Sequence, residues 1–229
     1  MRRRKPRHIG PVLRFCVLVV IPLTSALFKW DRRNFDRIPA RGPVIMVVNH
    51  ISYADPFIVA RATWDAARVP RFLGKASLFE IPFIGWVLRS VGQIPVNRGT
   101  RDAVHSLEDA VAALARGEVV VIYPEGTVTR DVDFWPMAGK TGAARLALLA
   151  PHVPVVPVGQ WGAQNAVDVY RHKYRLLPRK AVTVSVGERV DLAQFADARP
   201  TAETLREMME TIMGAITEQV ALIRADSNR

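Results

Sequence analysis

Residues 44 to 57 read VIMVVNHISYADPF, a short run that is apolar at every position, a stop at Asn49-His50, a polar turn, and then a helix-like stretch over residues 58 to 67. A strand with no polar face is buried on both sides, which requires a sheet with helices above and below it. The same pattern recurs along the chain. Residues 71 to 74, 92 to 98, 118 to 123 and 153 to 160 read as further short strands, and the run 118 to 123 breaks sharply at Pro124-Glu125-Gly126-Thr127. Residues 101 to 116 put Val104, Leu107, Val111 and Leu114 on one helical face, with Asp102 in the first turn and Gly117 after the last. Residues 140 to 150 form a small-residue helix suited to close packing. Residues 181 to 186 alternate as an edge strand does, and residues 201 to 223 keep Leu205, Met208, Ile212, Ile216, Val220 and Ile223 at helical spacing. Strands alternating with helices predict an α/β fold: a mostly parallel sheet covered by helices on both faces, with an N-terminal membrane-associated helix.

At 229 residues the chain suits one such domain with attachments and has no room for two. The expected division is a basic arm and membrane-associated helix over residues 1–28, and a single α/β domain over residues 29–229 ending in the amphipathic helix. The arm carries Arg2, Arg3, Arg4, Lys5, Arg7 and Arg14 with no acid, and residues 15 to 28 are almost wholly apolar but interrupted by Pro22. A bilayer crossing takes about 20 apolar residues, more than this run supplies. It reads as a helix dipping into or lying along the cytoplasmic leaflet, its basic flank held by anionic lipid; the alternative is a buried amphipathic helix of a soluble protein. Residues 30 to 42 read as the link into the domain.

Charge narrows the partners. Lys and Arg total 32 against 21 Asp and Glu, a net +11, which favours nucleic acid, anionic headgroups or phosphorylated small molecules. The positive charge is spread along the chain without a recognised nucleic-acid motif, so nucleic acid is not an expected partner. The single cysteine, Cys16, excludes an intrachain disulfide, and the five histidines show no metal-ligand spacing. A further basic group, Arg171, Lys173, Arg175, Arg179 and Lys180, reads as a phosphate contact or a solvated loop, and residues 75 to 92 are apolar enough to be core, a membrane-facing surface or the wall of a lipid tunnel.

Polar clusters at strand ends are where chemistry sits on open α/β sheets. Asp55 follows His50 by five residues, enough for a turn to return its carboxylate to the imidazole. Such a pair makes a base: the carboxylate fixes one ring nitrogen, the other accepts a proton, and the resulting cation is stabilised. Arg98, at the end of the strand before the helix over residues 101 to 116, offers a fork that matches phosphate. Gly126 removes a side chain where a loop must approach another group closely. Glu125 either orders its loop by accepting backbone N–H groups or Arg98, or takes a substrate hydroxyl.

NHISYAD at residues 49 to 55, GQIPVNR at 92 to 98, YPEGT at 123 to 127 and VVPVG at 155 to 159 resemble, in order and spacing, the four blocks of the glycerolipid acyltransferase family. The resemblance covers roughly residues 40 to 190 and points to a bacterial 1-acyl-glycerol-3-phosphate acyltransferase. It implies that His50 is the general base and Asp55 its partner. It further implies that Arg98 and Lys75 contact the acceptor phosphate, that Glu125, Gly126 and Thr127 shape the acceptor pocket, and that Lys140 holds another of the family's basic positions. The implied partners are an acyl thioester donor on coenzyme A or acyl carrier protein, a lysophospholipid acceptor and an anionic membrane surface; no metal, no cofactor and no acyl-enzyme is implied. In one place the chain departs from the pattern: where the third block usually continues with arginine, it has Val128, and the next arginine is Arg130. Either Arg130 swings in to supply the charge, or the pocket binds its anion with one contact fewer.

Overall fold

The computed structural model describes residues 9–97 and 103–227. In chain order its strands are β1 (Phe28–Arg33), β2 (Val44–Val48), β3 (Pro70–Lys75), β4 (Ile94–Val96), β5 (Val119–Ile122), β6 (Val155–Trp161), β7 (Val167–Asp168), β8 (Lys173–Tyr174) and β9 (Lys180–Val186). Its α-helices are α1 (Pro11–Leu27), α2 (Asp55–Asp65), α3 (Ser77–Glu80), α4 (Pro82–Ser90), α5 (Ala103–Ala115), α6 (Gly142–Leu149) and α7 (Ala202–Ser227). Among these residues, seven strands form one sheet in the order β1-β9-β6-β2-β5-β3-β4, and β7 and β8 form a small antiparallel hairpin.

Every neighbouring pair in the large sheet is parallel except β6 and β9. Alternation along the central strands sorts the side chains into two layers. Ile45, Val47, Val120 and Ile122 enter a core with Ala110 and Leu114 of α5, Leu146 of α6 and Ile212 and Ile216 of α7. Val44, Met46, Val48, Val119 and Val121 enter the other, with Ile58, Val59 and Ala62 of α2. The expected mostly parallel sheet covered on both faces is therefore the fold, and the all-apolar runs are its central strands.

Two expectations from the sequence need correcting at one margin. Residues 181 to 186 do not lie at an edge: β9 sits between β6 and β1. Its polar positions find partners on its neighbours: Ser185 donates to Gln219 Oε1 of α7 at 2.9 Å in the buried layer, and Thr183 Oγ1 donates to Asp31 Oδ2 of β1 at 3.4 Å. The edge is β1, in the stretch expected to be mainly linker. Asp31, Arg32 and Arg33 suit an edge strand as well as a solvated link, because charge there blocks further pairing; Arg32 pairs with Asp65 at 2.9 Å and Arg33 with Asp226. A smaller shift concerns Lys140, which precedes α6 rather than opening it.

α1 is tied to the domain through its C-terminal end. Arg61 of α2 donates to Ile21 O at 2.9 Å and Ser25 Oγ at 2.7 Å, and Trp30 Nε1 donates to Thr24 O at 3.2 Å. Phe15, Leu18, Val19 and Leu23 form an outward apolar stripe. Between β3 and β4, α3 and α4 pack closely because position 85 is glycine: a Cβ there would lie 2.0 Å from the Phe79 carbonyl oxygen. They turn Ile81, Phe83, Ile84 and Trp86 outward. Among the described residues no helix is long and apolar enough to cross a membrane.

Candidate active site

The register Val47↔Ile122 makes β2 and β5 end side by side, so the chain leaves both strands at the same edge of the sheet, through Asn49-His50 and Tyr123-Pro124. Asn49 anchors the first exit. Its side chain exchanges hydrogen bonds with the Gln160 backbone, Gln160 N to Oδ1 at 2.8 Å and Nδ2 to Gln160 O at 3.1 Å, while Gln160 Nε2 donates to Asn49 O at 2.8 Å. His50 is thereby fixed to two neighbouring strands before its side chain makes any contact.

The chain then turns through Ile51-Ser52 into α2, whose first residue is Asp55. Asp55 Oδ2 lies 2.8 Å from His50 Nδ1 and accepts the backbone N–H of Ile51 at 2.6 Å and of Ser52 at 2.8 Å. Asp55 is fully buried. Burial pushes its carboxyl above the ordinary value, against the opposing pull of His50 and the two amides. The face of the imidazole lies on Tyr123, with ring centroids 4.4 Å apart at 25°, and Tyr123 stacks in turn on Phe72 at 6.2 Å. Burial also pushes the Tyr123 phenol well above its usual value, with the Asp55 charge adding to the shift.

The second exit supplies the clamp. Glu125 Oε1 accepts His50 N at 2.8 Å and Oε2 accepts Met137 N at 3.0 Å, so one buried carboxylate joins the histidine's backbone to the far side of the loop after β5. Thr129 N completes the clamp by donating to His50 O at 2.7 Å. Burial raises the Glu125 carboxyl to about 7, opposed by the amides of Met137 and His50. Gly126 has φ +72°, and a Cβ there would meet the Lys140 side chain at 3.2 Å; glycine both permits the turn and lets Lys140 cross it.

Of the residues singled out from sequence, His50, Asp55, Glu125 and Gly126 come together here. Lys75 ends β3 at the same edge and is exposed, as are Thr127 and Arg130, whereas Val128 is only 3% exposed and packs inward. Arg98, Asp102 and the basic residues 2 to 7 lie outside the described residues. The partners of Glu125 and the ring beneath His50 are not legible in the sequence. Tyr123 lies within a quoted block, but only the pairing of β2 with β5 puts it under the imidazole. Among the described residues no group of three or more His, Cys, Asp or Glu is placed to hold a metal ion. An apolar hollow of about 400 Å³, lined in part by Val153, Val155, Leu192 and Phe195, lies near the start of β6, at the opposite end of the sheet from His50.

A mostly parallel sheet that delivers a histidine onto a buried carboxylate at its strand ends defines a class of α/β protein with a histidine–carboxylate site. The chain belongs to the acyltransferase family, whose profile matches residues 30–161. It is 34% identical over 177 residues to a 1-acyl-sn-glycerol-3-phosphate acyltransferase of Borreliella burgdorferi, covering 72% of this chain and 68% of that protein. It is 31% identical over 178 residues to a lyso-ornithine lipid O-acyltransferase of Pseudomonas aeruginosa, covering 69% of this chain and 66% of the relative. Against a chloroplastic 1-acyl-sn-glycerol-3-phosphate acyltransferase of Brassica napus, 30% identical over 137 residues, it spans only 38% of the relative's length. The crystal structure of the 1-acyl-sn-glycerophosphate acyltransferase of Thermotoga maritima shares the fold, with a TM-score of 0.63 over 95% of this chain and 84% of that one, at 22% identity.

Proposed function

We propose that the protein transfers a fatty acyl group from an acyl thioester, on coenzyme A or acyl carrier protein, to the free hydroxyl of 1-acyl-glycerol-3-phosphate, giving phosphatidic acid. The observation that carries this reading is the 2.8 Å contact between His50 Nδ1 and Asp55 Oδ2 at the end of β2. With Nδ1–H donated to the carboxylate, Nε2 is left to accept the proton of the attacking hydroxyl. The new ester bond forms as the carbon–sulfur bond breaks, and His50 hands the proton to the departing thiolate. Asp55 stabilises the imidazolium between these events, and the face of Tyr123 favours the same cation. Glu125 keeps the histidine's backbone still while the ring exchanges its proton. Lys75 and Arg98 hold the acceptor phosphate, Gly126 and Thr127 line its approach, and Arg130 stands at the rim. Fixing hydroxyl, base and thioester together can supply roughly 7–11 kcal/mol of the barrier, so the phosphate contacts matter as much as the base.

The enzyme works as a peripheral or monotopic protein on the cytoplasmic face of the membrane, with the outward stripe of α1 and the exposed side chains of α4 against lipid. The test is thiol release by detergent-purified protein, with acyl-CoA and acyl carrier protein each crossed with a panel of lyso-acceptors. The expected result is thiol released in step with phosphatidic acid; no thiol release with any pair would end the reading.

A second acceptor is favoured by two observations. Val128 stands where the family's block usually has arginine, and one relative is named for a lyso-ornithine lipid. If that lipid outcompetes 1-acyl-glycerol-3-phosphate in the panel, the chemistry stands and the acceptor changes.

A further inference from the structure

The hairpin β7–β8 and the segment that leads from it into β9 carry a group of residues that the acid–base site does not use. Between Asp168 and Glu188 the chain has no acidic residue at all, yet Arg171, Lys173, Arg175, Arg179 and Lys180 all fall there. Among the same residues Tyr170, Tyr174, Leu176 and Leu177 are exposed, Tyr174 by 65% and Leu177 by 75%. Lys173 and Arg175 also face solvent, and among the described residues neither has a carboxylate partner. Leucines and tyrosines are costly to leave in water. Interleaved with cations, they match the boundary of an anionic bilayer, where the rings sit at headgroup level and the charges meet phosphate.

The hairpin's position ties this surface to the site. Ser52 Oγ donates to Val167 O at 2.8 Å, and Tyr170 Oη donates to Val128 O at 2.9 Å, so the hairpin is bonded to the loops that follow both His50 and Glu125. Arg171 lies over the Phe134 ring at 5.6 Å, on the same loop as Thr129. At its other end Arg179 Nη2 donates to Phe28 O at 2.6 Å, and Lys180 pairs with Phe28, where α1 runs into β1. The segment therefore joins the rim of the site to the base of the outward stripe on α1.

We infer that the segment 170–177 is a second membrane-docking surface, which seats the rim of the site on an anionic bilayer. The inference rests on the proposed membrane-bound acyl transfer, because an acceptor that keeps one acyl chain in the bilayer must reach His50 from the lipid side. An acidic carrier protein could satisfy the cations, but it offers no ready cover for two leucines and two tyrosines.

The test is co-sedimentation with vesicles of phosphatidylcholine alone and of phosphatidylcholine with about 30% phosphatidylglycerol, a composition chosen to carry roughly a physiological surface charge. The wild type, Leu176→Ser/Leu177→Ser and Lys173→Ala/Arg175→Ala are compared, with thermal melts confirming that each is folded. The cation pair should weaken binding to the anionic vesicles by roughly 30-fold, at about fivefold for each charge, and should leave the weak binding to neutral vesicles unchanged. The leucine pair should weaken binding to both by roughly tenfold or more. In mixed micelles the leucine pair should turn over the acceptor like the wild type, and on vesicles it should be slow. Equal vesicle binding by all three proteins would overturn the inference and leave the acyl-transfer reading intact. Loss of turnover confined to the carrier-protein donor, with vesicle binding unchanged, would also overturn it and assign the surface to the carrier. Failure of the wild type to bind any vesicle would overturn it as well, by removing the membrane reading on which it rests.

Discussion

The proposed base and the proposed headgroup contacts are built in opposite ways. His50 is held by Asp55 at one ring nitrogen, by Tyr123 on a ring face, by Glu125 at its amide and by Thr129 at its carbonyl, with Asp55 and Glu125 buried. Lys75, Thr127 and Arg130 stand exposed at the same edge of the sheet. A base must meet its proton in one geometry, so its surroundings are over-determined. Groups that capture a mobile lipid headgroup act through charge, which tolerates motion. The contrast predicts that substitutions in the first set lower turnover and those in the second raise the acceptor KM.

The largest effect belongs to His50→Ala, expected to lower kcat by about 10²-fold or more while the protein stays folded, as a thermal melt would check. Glu125→Gln comes next, because an amide oxygen cannot accept from both His50 N and Met137 N in the carboxylate's geometry; about a tenfold loss in kcat is expected. This variant also has a signature in stability. The Glu125 carboxyl is raised from 4.5 to about 7 in the folded protein, so its contribution is fully present below pH 4.5 and is lost as pH rises through 7. Denaturant titrations should show the wild type losing about 3 kcal/mol across that window relative to Glu125→Gln.

Tyr123→Leu should reduce kcat roughly fivefold, since the imidazolium loses its aromatic face, while Tyr123→Phe restores it. An unchanged kcat in the leucine variant would reduce the ring to packing. Lys75→Ala should raise the acceptor KM roughly fivefold with kcat nearly constant, and Arg130→Ala should raise it by less than about threefold. A loss of kcat in either would blur the distinction between the two sets.

The legibility of the sequence follows the same division between local and distant contacts. The central strands are readable because burial on both faces leaves no polar position in Val44–Val48 or Val119–Ile122. The His50–Asp55 pair is readable because five residues of turn are enough to close it. β1 is not, because an edge strand with Asp31, Arg32 and Arg33 has the composition of a linker, and its partner β9 comes from the far end of the chain. The Glu125 clamp stays open between two roles at the level of sequence because it joins separate loops, and no spacing within one loop reports a contact made by another. The hairpin's cations are visible in the sequence, but their nearness to the site depends on Ser52 meeting Val167.

The central claim is that His50 and Asp55 act as one device, and a double-substitution cycle tests it most directly. Thiol-release rates of His50→Ala, Asp55→Asn and the double variant should show each single change costing at least about 10²-fold, with the double no slower than His50→Ala alone, because groups that work as a unit do not lose activity twice. Losses that multiply in the double variant, or an Asp55→Asn enzyme with wild-type turnover, would contradict it.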